Sequence, residues 1–481
     1  MTQPNPPHQG RLLVALLGGM FLGSVDIAIV NVATPSIREH LGASGAEVEL
    51  IVSGYTLTYA MLLVTSARLG TTHGLRKVYA AGLAIFTLSS LACGLAPTAG
   101  VLLAARVVQG AGAALCTSQV LTGIQLYFEG SARARAIGLY TAVLSTSAVL
   151  GQVLGGVLIS ADLFGLSWRP AFLLNVPIGV VLYVLAWRNL PAHDSRDGKR
   201  LDLPGVAVLS AALLLLVLPL VLGRESGWPA WTWASLAASV VAFIGFVRVE
   251  RRQSERGGLP LVTLSLLGQR PVAFALLSQA ATVATYFGLL FTLALYLQQG
   301  LGKSAAVSGL SLVSWVAAFG IAGPVLGRLR VETRKRAAPL GRIVLAAAFA
   351  AIFLSLALGQ ADNEALLITL LGIGGLGYGA GFSGTLTLLT SSVTGEYAAE
   401  VSGLFNTTIQ VGGSLGVAVF GTVYLDLALN ADRSSAIHAF TTLTALLAAT
   451  VAVAAVLAQV ALSRPRTSAD SPAVPDASAH R

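Results

Sequence analysis

Two charged residues stand where charge is costly. Asp26 lies in the middle of the apolar run from Leu12 to Ala33, and Arg106 lies within the run from Gly100 to Gln125. A carboxyl group in low-dielectric surroundings favours its uncharged form, so Asp26 can take up a proton near working pH or stand opposite a cation. The alternative is a structural aspartate that caps a helix break or is permanently paired. A guanidinium keeps its proton under all ordinary conditions, so Arg106 cannot carry one. It can bias a nearby carboxylate, or hold backbone carbonyls at a helix bend. A direct pair between the two is compatible with the sequence and not dictated by it.

Other residues suggest binding and movement rather than bond-making. Gln279, Thr282 and Tyr286 fall on one stripe at helical spacing, and polar groups on a spanning helix are expected to face protein or water. Asn31, Tyr55, Tyr59, Gln109, Gln119, Asn406 and Gln410 are further candidates for a cavity lining, interhelical hydrogen bonding being the competing role. Ser147, Gly151 and Gly155 repeat every four residues with Gln152 and Gly156 in the adjacent row. Small residues at that spacing let two helices approach closely, and a moving interface between two halves is the expectation. The run Gly372 to Gly384 is its expected partner or a bending point. Gly70, Thr71, Gly74, Arg76 and Lys77 suggest a tight turn with basic residues, either an anchor at the membrane surface or a latch.

The remaining chemistry is absent from the pattern. The six histidines are scattered without metal-ligand spacing. No glycine-rich loop followed by Lys-Ser/Thr occurs, which argues against energy from a nucleoside triphosphate. No nucleophile motif occurs, so the expectation is not an enzyme, and no cofactor is implied. Cys93 and Cys116 read as small apolar fillers.

These residues need a membrane around them. The chain has 481 residues, 55% hydrophobic and 11% charged. Its apolar stretches cover 12–33, 47–68, 78–96, 100–125, 136–159, 170–188, 203–223, 231–249, 271–297, 305–327, 342–359, 364–389, 401–425 and 439–462. A spanning helix needs about 20 apolar residues, and unpaired backbone groups are excluded from lipid. The expected fold class is an all-α polytopic membrane protein with fourteen spanning helices. If the N-terminus is inside, 24 basic residues fall in inner segments and 5 in outer loops, with Arg106 the one basic residue away from a span edge. The positive-inside rule then places both termini in the cytoplasm. The net charge of +9 reflects the same bias and points to anionic lipid headgroups, not nucleic acid.

Two loops look alike: Arg68-Leu69-Gly70 with Arg76-Lys77, and Gly327-Arg328-Leu329 with Arg334-Lys335-Arg336. Internal repeats of this kind suggest two six-helix halves with a substrate site between them. The expected division is 1–190 and 263–463 for the halves, 191–262 for a linker carrying two extra helices, and 464–481 for a disordered cytoplasmic tail.

On its motifs the chain resembles the fourteen-helix drug:proton antiporter family of the major facilitator superfamily, the quaternary-ammonium and multidrug efflux type. The carriers are Asp26-Ile27-Ala28-Ile29-Val30-Asn31-Val32-Ala33-Thr34-Pro35, Arg106-Val107-Val108-Gln109-Gly110-Ala111-Gly112 and Gly151-Gln152-Val153-Leu154-Gly155-Gly156. Trp168-Arg169, Asn175-Val176-Pro177-Ile178-Gly179, Tyr296-Leu297-Gln298 and Gly412-Gly413-Ser414-Leu415-Gly416 support them. The family pattern has Pro where Gln152 stands, Asp where Thr71 stands and Gly where Ala67 stands; Ser314 and Ile409 are further departures. The resemblance implies two six-helix bundles plus an inserted pair, in a bacterial cytoplasmic membrane. It implies a monomer that exchanges protons for an amphiphilic, often cationic, small molecule by alternating access, with Asp26 and Arg106 in the coupling and the proton gradient as energy source. A dedicated exporter of one endogenous metabolite is the alternative. A sensor or lipid-modifying enzyme finds no support in any catalytic cluster.

Overall fold

The computed structural model describes residues 9–161, 165–191, 202–223, 227–256, 261–303, 305–394, 397–428 and 432–463, and every regular element among them is a helix. The tail 464–481 and the basic residues Arg196, Lys199, Arg200 and Arg224 lie outside the described residues. The first seven helices are α1 (Gln9–Leu41), α2 (Gly45–His73), α3 (Leu75–Gly94), α4 (Ala99–Tyr127), α5 (Gly130–Ser160), the short α6 (Arg169–Leu173) and α7 (Asn175–Asn189). A hairpin of α8 (Leu203–Leu222) and α9 (Ala230–Glu255) follows, then the short α10 (Leu264–Gly268). The last six are α11 (Arg270–Leu295), closed by a π turn over Tyr296–Gly300, α12 (Ala305–Gly327), α13 (Val331–Ala357), α14 (Glu364–Ser392), α15 (Ala398–Leu427) and α16 (Arg433–Leu462).

Eleven helices among the described residues are long and apolar enough to cross a membrane, and 204–220 and 311–327 are shorter apolar stretches. Their ends carry local stop and start signals. Ser44 accepts from the Glu47 backbone N–H while Glu47 accepts from the Ser44 N–H, a reciprocal cap on α2. Those bonds hold the exposed Glu47 carboxyl below the usual carboxylate range. The side chains of Thr98, Asn363 and Asp432 each accept from the backbone N–H three residues on, a one-way cap on α4, α14 and α16. Gly74 joins α2 to α3 at φ +89°, a conformation that favours glycine.

Helices α1–α7 pack among themselves, chiefly α2 on α4, α3 on α4 and α1 on α5; α11–α16 do the same, chiefly α13 on α14 and α11 on α15. The two groups meet through α5 on α12 and through α15 on α2 and α4. The α8–α9 hairpin leans on α2 and α15. Val240 and Val241 of α9 are left exposed, as suits a helix whose outer side faces lipid.

Two sequence expectations are corrected here. α13 begins at Val331, not near residue 342, so Arg342 is a fully buried residue eleven positions into a helix rather than a loop cation. Arg106 is therefore not the one basic residue inside a span. The basic cluster before residue 342 had hidden the helix start, because a helix can extend past the bilayer with charges on its first turns.

Candidate functional site

Asp26 sits at the meeting point of five elements and is 1% exposed. Its Oδ2 accepts from Arg106 Nη1 at 2.5 Å. Its Oδ1 accepts from Gln109 Nε2 at 3.0 Å and from Asn175 Nδ2 at 2.8 Å. Arg106 Nη1 also donates to Gln109 Oε1 at 2.7 Å, and Gln109 Nε2 donates to Ser90 Oγ at 2.7 Å. Because a guanidinium only donates, Gln109 must turn its oxygen to Arg106 and its nitrogen to Asp26. Arg106 Nε donates to the Ile51 carbonyl at 3.3 Å, and its guanidinium lies 4.3 Å over the Tyr55 ring and 5.7 Å from that of Phe172. Helices α1, α2, α3, α4 and the α6–α7 segment thus share one buried network. A buried ion pair is tolerable when its remaining donors and acceptors are satisfied, and here the neighbouring amides do that.

The pairing of Asp26 with Arg106, left open by the sequence, is made. Gln109, grouped with cavity residues in the sequence, belongs to this network. Asn175 and Ser90 were not among the candidates. Asn175 did appear in a supporting motif, and a polar residue opening an apolar helix was the signal for it.

The other half holds a second buried cation with a different environment. Arg342 Nε donates to Thr282 Oγ1 at 2.9 Å and Nη2 to Gln279 Oε1 at 3.1 Å. Its Nη1 donates to the carbonyls of Ala338 at 2.7 Å and Gly381 at 3.2 Å. All these acceptors are neutral, and among the described residues no carboxylate pairs with it. Gln279 and Thr282 therefore hold Arg342 rather than presenting themselves to a cavity. One turn further, Tyr286 stacks near Trp315 at 5.9 Å and Tyr378 at 4.8 Å.

The remaining candidates separate by burial. Tyr55 is fully buried, donates to the Gly23 carbonyl at 3.2 Å, and stacks 6.1 Å from the half-buried Tyr59. Gln119 donates to the Ser66 carbonyl at 2.6 Å within the α2–α4 contact. Asn406 donates to the Ser402 carbonyl and accepts from Tyr140. Gln410 and Tyr286 are half-buried. The side chains of Asn31 and Gln152 lie outside the described ones. An apolar cavity between α2, α8–α9, α11 and α15 is lined by Val64, Leu213, Phe246, Leu276, Leu404 and Val411 among others, none of them a candidate.

The small-residue stripe of α5 does not face the other half. A Cβ on Gly151 would stand 2.6 Å from Ala28 Cβ, and one on Gly155 would stand 3.2 Å from Ile29 Cα, both on α1. Ser147 bonds back to its own helix at Val143. Gly156 meets nothing within 4 Å. Nor is Gly372–Gly384 the partner of that stripe: Gly374 and Gly375 pack on Trp315 of α12, and Gly384 on Ala338 of α13. Helix spacing shows that a residue is small, but not which neighbour uses the room.

The contact between the halves lies on the face where α1 begins and α16 ends. Gly138 of α5 and Gly323 of α12 meet backbone to backbone; a Cβ on either would stand 2.8 Å from the other's carbonyl oxygen. Thr141 and Ser383 hydroxyls are 3.1 Å apart, and Ser402 Oγ donates to the Ser118 carbonyl at 2.7 Å. Arg68 Nη1 reaches Glu400 Oε1 at 3.1 Å. The expected latch residues are less direct. Thr71 bonds to the Arg68 carbonyl of its own helix at 2.8 Å, Arg76 lies 4.5 Å over Trp187, and Lys77 is exposed. Gly70 makes room for Gln119. The ion pair across the halves is made by Arg68, which the sequence had only counted among the cations of the inner segments.

Comparison with known proteins gives a consistent result. The family model described as Major Facilitator Superfamily matches residues 16–417. The chain is 35% identical over 434 residues to a probable actinorhodin transporter of Streptomyces coelicolor, covering 89% of this chain and 75% of that one. It is 37% identical over 428 residues to the cephamycin export protein of Amycolatopsis lactamdurans, covering 85% of this chain and 84% of that one. The fold is similar to the crystal structure of the human organic anion transporter MFSD10, with a TM-score of 0.66 at 15% identity, over 94% of this chain and 100% of that one.

Proposed function

The chain belongs to the Major Facilitator Superfamily, and from that premise we propose that it exports amphiphilic small molecules, antibiotics among them, in exchange for protons. It is a multi-pass membrane transporter and not an enzyme. Among superfamily members it groups with drug and antibiotic exporters, as the motifs of α1, α4 and α5 implied.

The observation that carries the coupling is the Asp26 network. Every contact to Asp26 is one that a carboxylate accepts. A proton arriving there removes the attraction to Arg106 and turns one oxygen into a donor facing donors. Helix α1 is then released from α4 and α7, and Arg106 falls back on Gln109 and the Ile51 carbonyl. Return of the carboxylate draws the helices together again. With the halves touching at the termini face, this reading takes the structure as the state closed to the inside. Half-buried Tyr59, Tyr286 and Gln410 offer aromatic and amide contacts to a substrate.

In the same reading residues 1–190 and 263–463 form the two bundles, 191–262 the linker with its inserted pair, and fourteen helices cross a bacterial cytoplasmic membrane with both ends in the cytoplasm. Reporter fusions at Ser195 and Ser254 read inside and at Gly227 outside; a periplasmic signal at Ser195 overturns the orientation. The second reading, one dedicated metabolite, is favoured by the names of the two relatives, each tied to a single antibiotic. Uptake into inverted vesicles, with a panel of compounds and with or without a proton gradient, separates the readings. Gradient-dependent uptake of several unrelated amphiphiles supports multidrug export, one compound supports the dedicated exporter, and gradient-independent uptake overturns proton coupling.

A further inference from the structure

The inserted hairpin carries two buried acids with no role in the Asp26 network. Asp202 caps α8 and is 2% exposed; Glu250, near the end of α9, is 0% exposed. Each has one satisfied oxygen: Gly205 N–H donates to Asp202 Oδ1 at 3.0 Å, and Val262 N–H donates to Glu250 Oε2 at 3.1 Å. Each also has one oxygen, Asp202 Oδ2 and Glu250 Oε1, with no hydrogen-bond partner among the described residues. Both of these oxygens crowd the same point, since a Cβ on Gly205 would stand 2.5 Å from each. The two oxygens therefore lie within about 5 Å of one another; two buried carboxylates this close cannot both be ionised at low cost, and one proton on the pair relieves that cost.

The pair is wired to the contact between the halves. Val262 bonds Glu250, and the next residue, Thr263, donates from its N–H to Glu400 Oε2 at 2.9 Å and from its hydroxyl to Glu400 Oε1 at 3.1 Å. Glu400 is the acid that holds Arg68 of α2. Among the described residues, the charged groups facing the pair from neighbouring helices are Arg68 on α2 and, behind it, Glu400 on α15; α10 brings only Leu, Ser and Gly.

We propose that Asp202 and Glu250 form a second proton-binding site, which holds one shared proton while the halves are closed at the termini face and gives it up as the Glu400–Arg68 latch opens. The proposal rests on the alternating-access reading, not on Asp26 as coupling group. The sign follows from burial. The closed form buries the pair and binds the proton; the open form wets it and lets the proton go. Lower pH on that face therefore favours closure, by up to tenfold in the closed-to-open ratio per pH unit for one linked proton.

The test uses the full chain in lipid nanodiscs with spin labels on Lys77→Cys and Arg336→Cys, both exposed and on opposite halves, while Cys93 and Cys116 are buried. Distance distributions are recorded across a pH series in the parent, Asp26→Asn, Glu250→Gln and Asp202→Asn. The parent and Asp26→Asn shift towards the long distance as pH rises. Glu250→Gln and Asp202→Asn each put a fixed amide donor where the proton was, so both stay closed and pH-independent. A flat profile in Asp26→Asn, or an unchanged profile in either hairpin variant that purifies as a folded monomer, overturns the proposal. A dependence lost in Asp26→Asn alone overturns this site and leaves proton-coupled export standing.

Discussion

Asp26→Asn abolishes gradient-driven export while the protein still reaches the membrane. The amide is the same size as the carboxyl but can accept on only one side. Arg106 presses on one oxygen while Gln109 and Asn175 press on the other, so a side-chain NH₂ must face a donor whichever way it turns. Arg106 is then left 1% exposed without its counter-charge, a loss of about 3–5 kcal/mol for a broken buried pair. Its neutral acceptors, Gln109 Oε1 and the Ile51 carbonyl, keep part of the network in place. The variant is therefore expected to fold and lose coupling, with substrate uptake into inverted vesicles at the level of vesicles lacking the transporter. Normal export with an unchanged pH profile removes Asp26 from the coupling. Arg106→Lys keeps the charge but cannot reach Asp26, Gln109 and Ile51 at once, so export falls severely without vanishing.

What could be read beforehand divides along a physical line. A charge inside an apolar run is rare because burying it is costly, so Asp26 and Arg106 stood out from one chain without any neighbours known. The helices were legible for the same reason: lipid demands long apolar runs, and the stretches fall on helical segments in the structure, 170–188 being divided between α6 and α7, with eleven helices among the described residues long and apolar enough to cross a membrane. The groups that needed a partner to be understood were not legible. Arg68 and Arg342 counted only as cations of inner segments, because their helices extend past the apolar stretch. Glu250 looked like a loop acid among Arg248, Arg251 and Arg252, yet it is buried beneath the segment that follows it. Thr71, standing where the family pattern has an acid, bonds only to its own helix. The acid that pairs with Arg68 across the halves comes instead from α15, more than three hundred residues away, and no local pattern announces that.

Glycine substitutions show the same distinction and carry the second large effect. Gly138→Val and Gly323→Val each abolish export at normal protein level, whereas Gly156→Val is close to silent. At the first two positions the neighbour is backbone: a Cβ on Gly138 meets Gly323 O at 2.8 Å and Gly323 C at 3.0 Å, and one on Gly323 also meets Thr141 Cβ at 2.8 Å. Backbone cannot swing aside as a long side chain can, so two added methyl groups force α5 and α12 apart where the halves touch. The packing inside each half does not pass through this contact, which is why folding is expected to survive while closure does not. At Gly156 nothing lies within 4 Å, so a valine there has room. Gly151→Val is a different case, since its neighbours are Ala28 Cβ and Val25 O on α1, both at 2.6 Å, inside one half. It is expected to lower the protein level as well as transport. Spin labels at Lys77→Cys and Arg336→Cys in the Gly323→Val background report the long distance at every pH. Full export by Gly138→Val and Gly323→Val, with the short distance still reached, means the halves do not need this glycine contact to close.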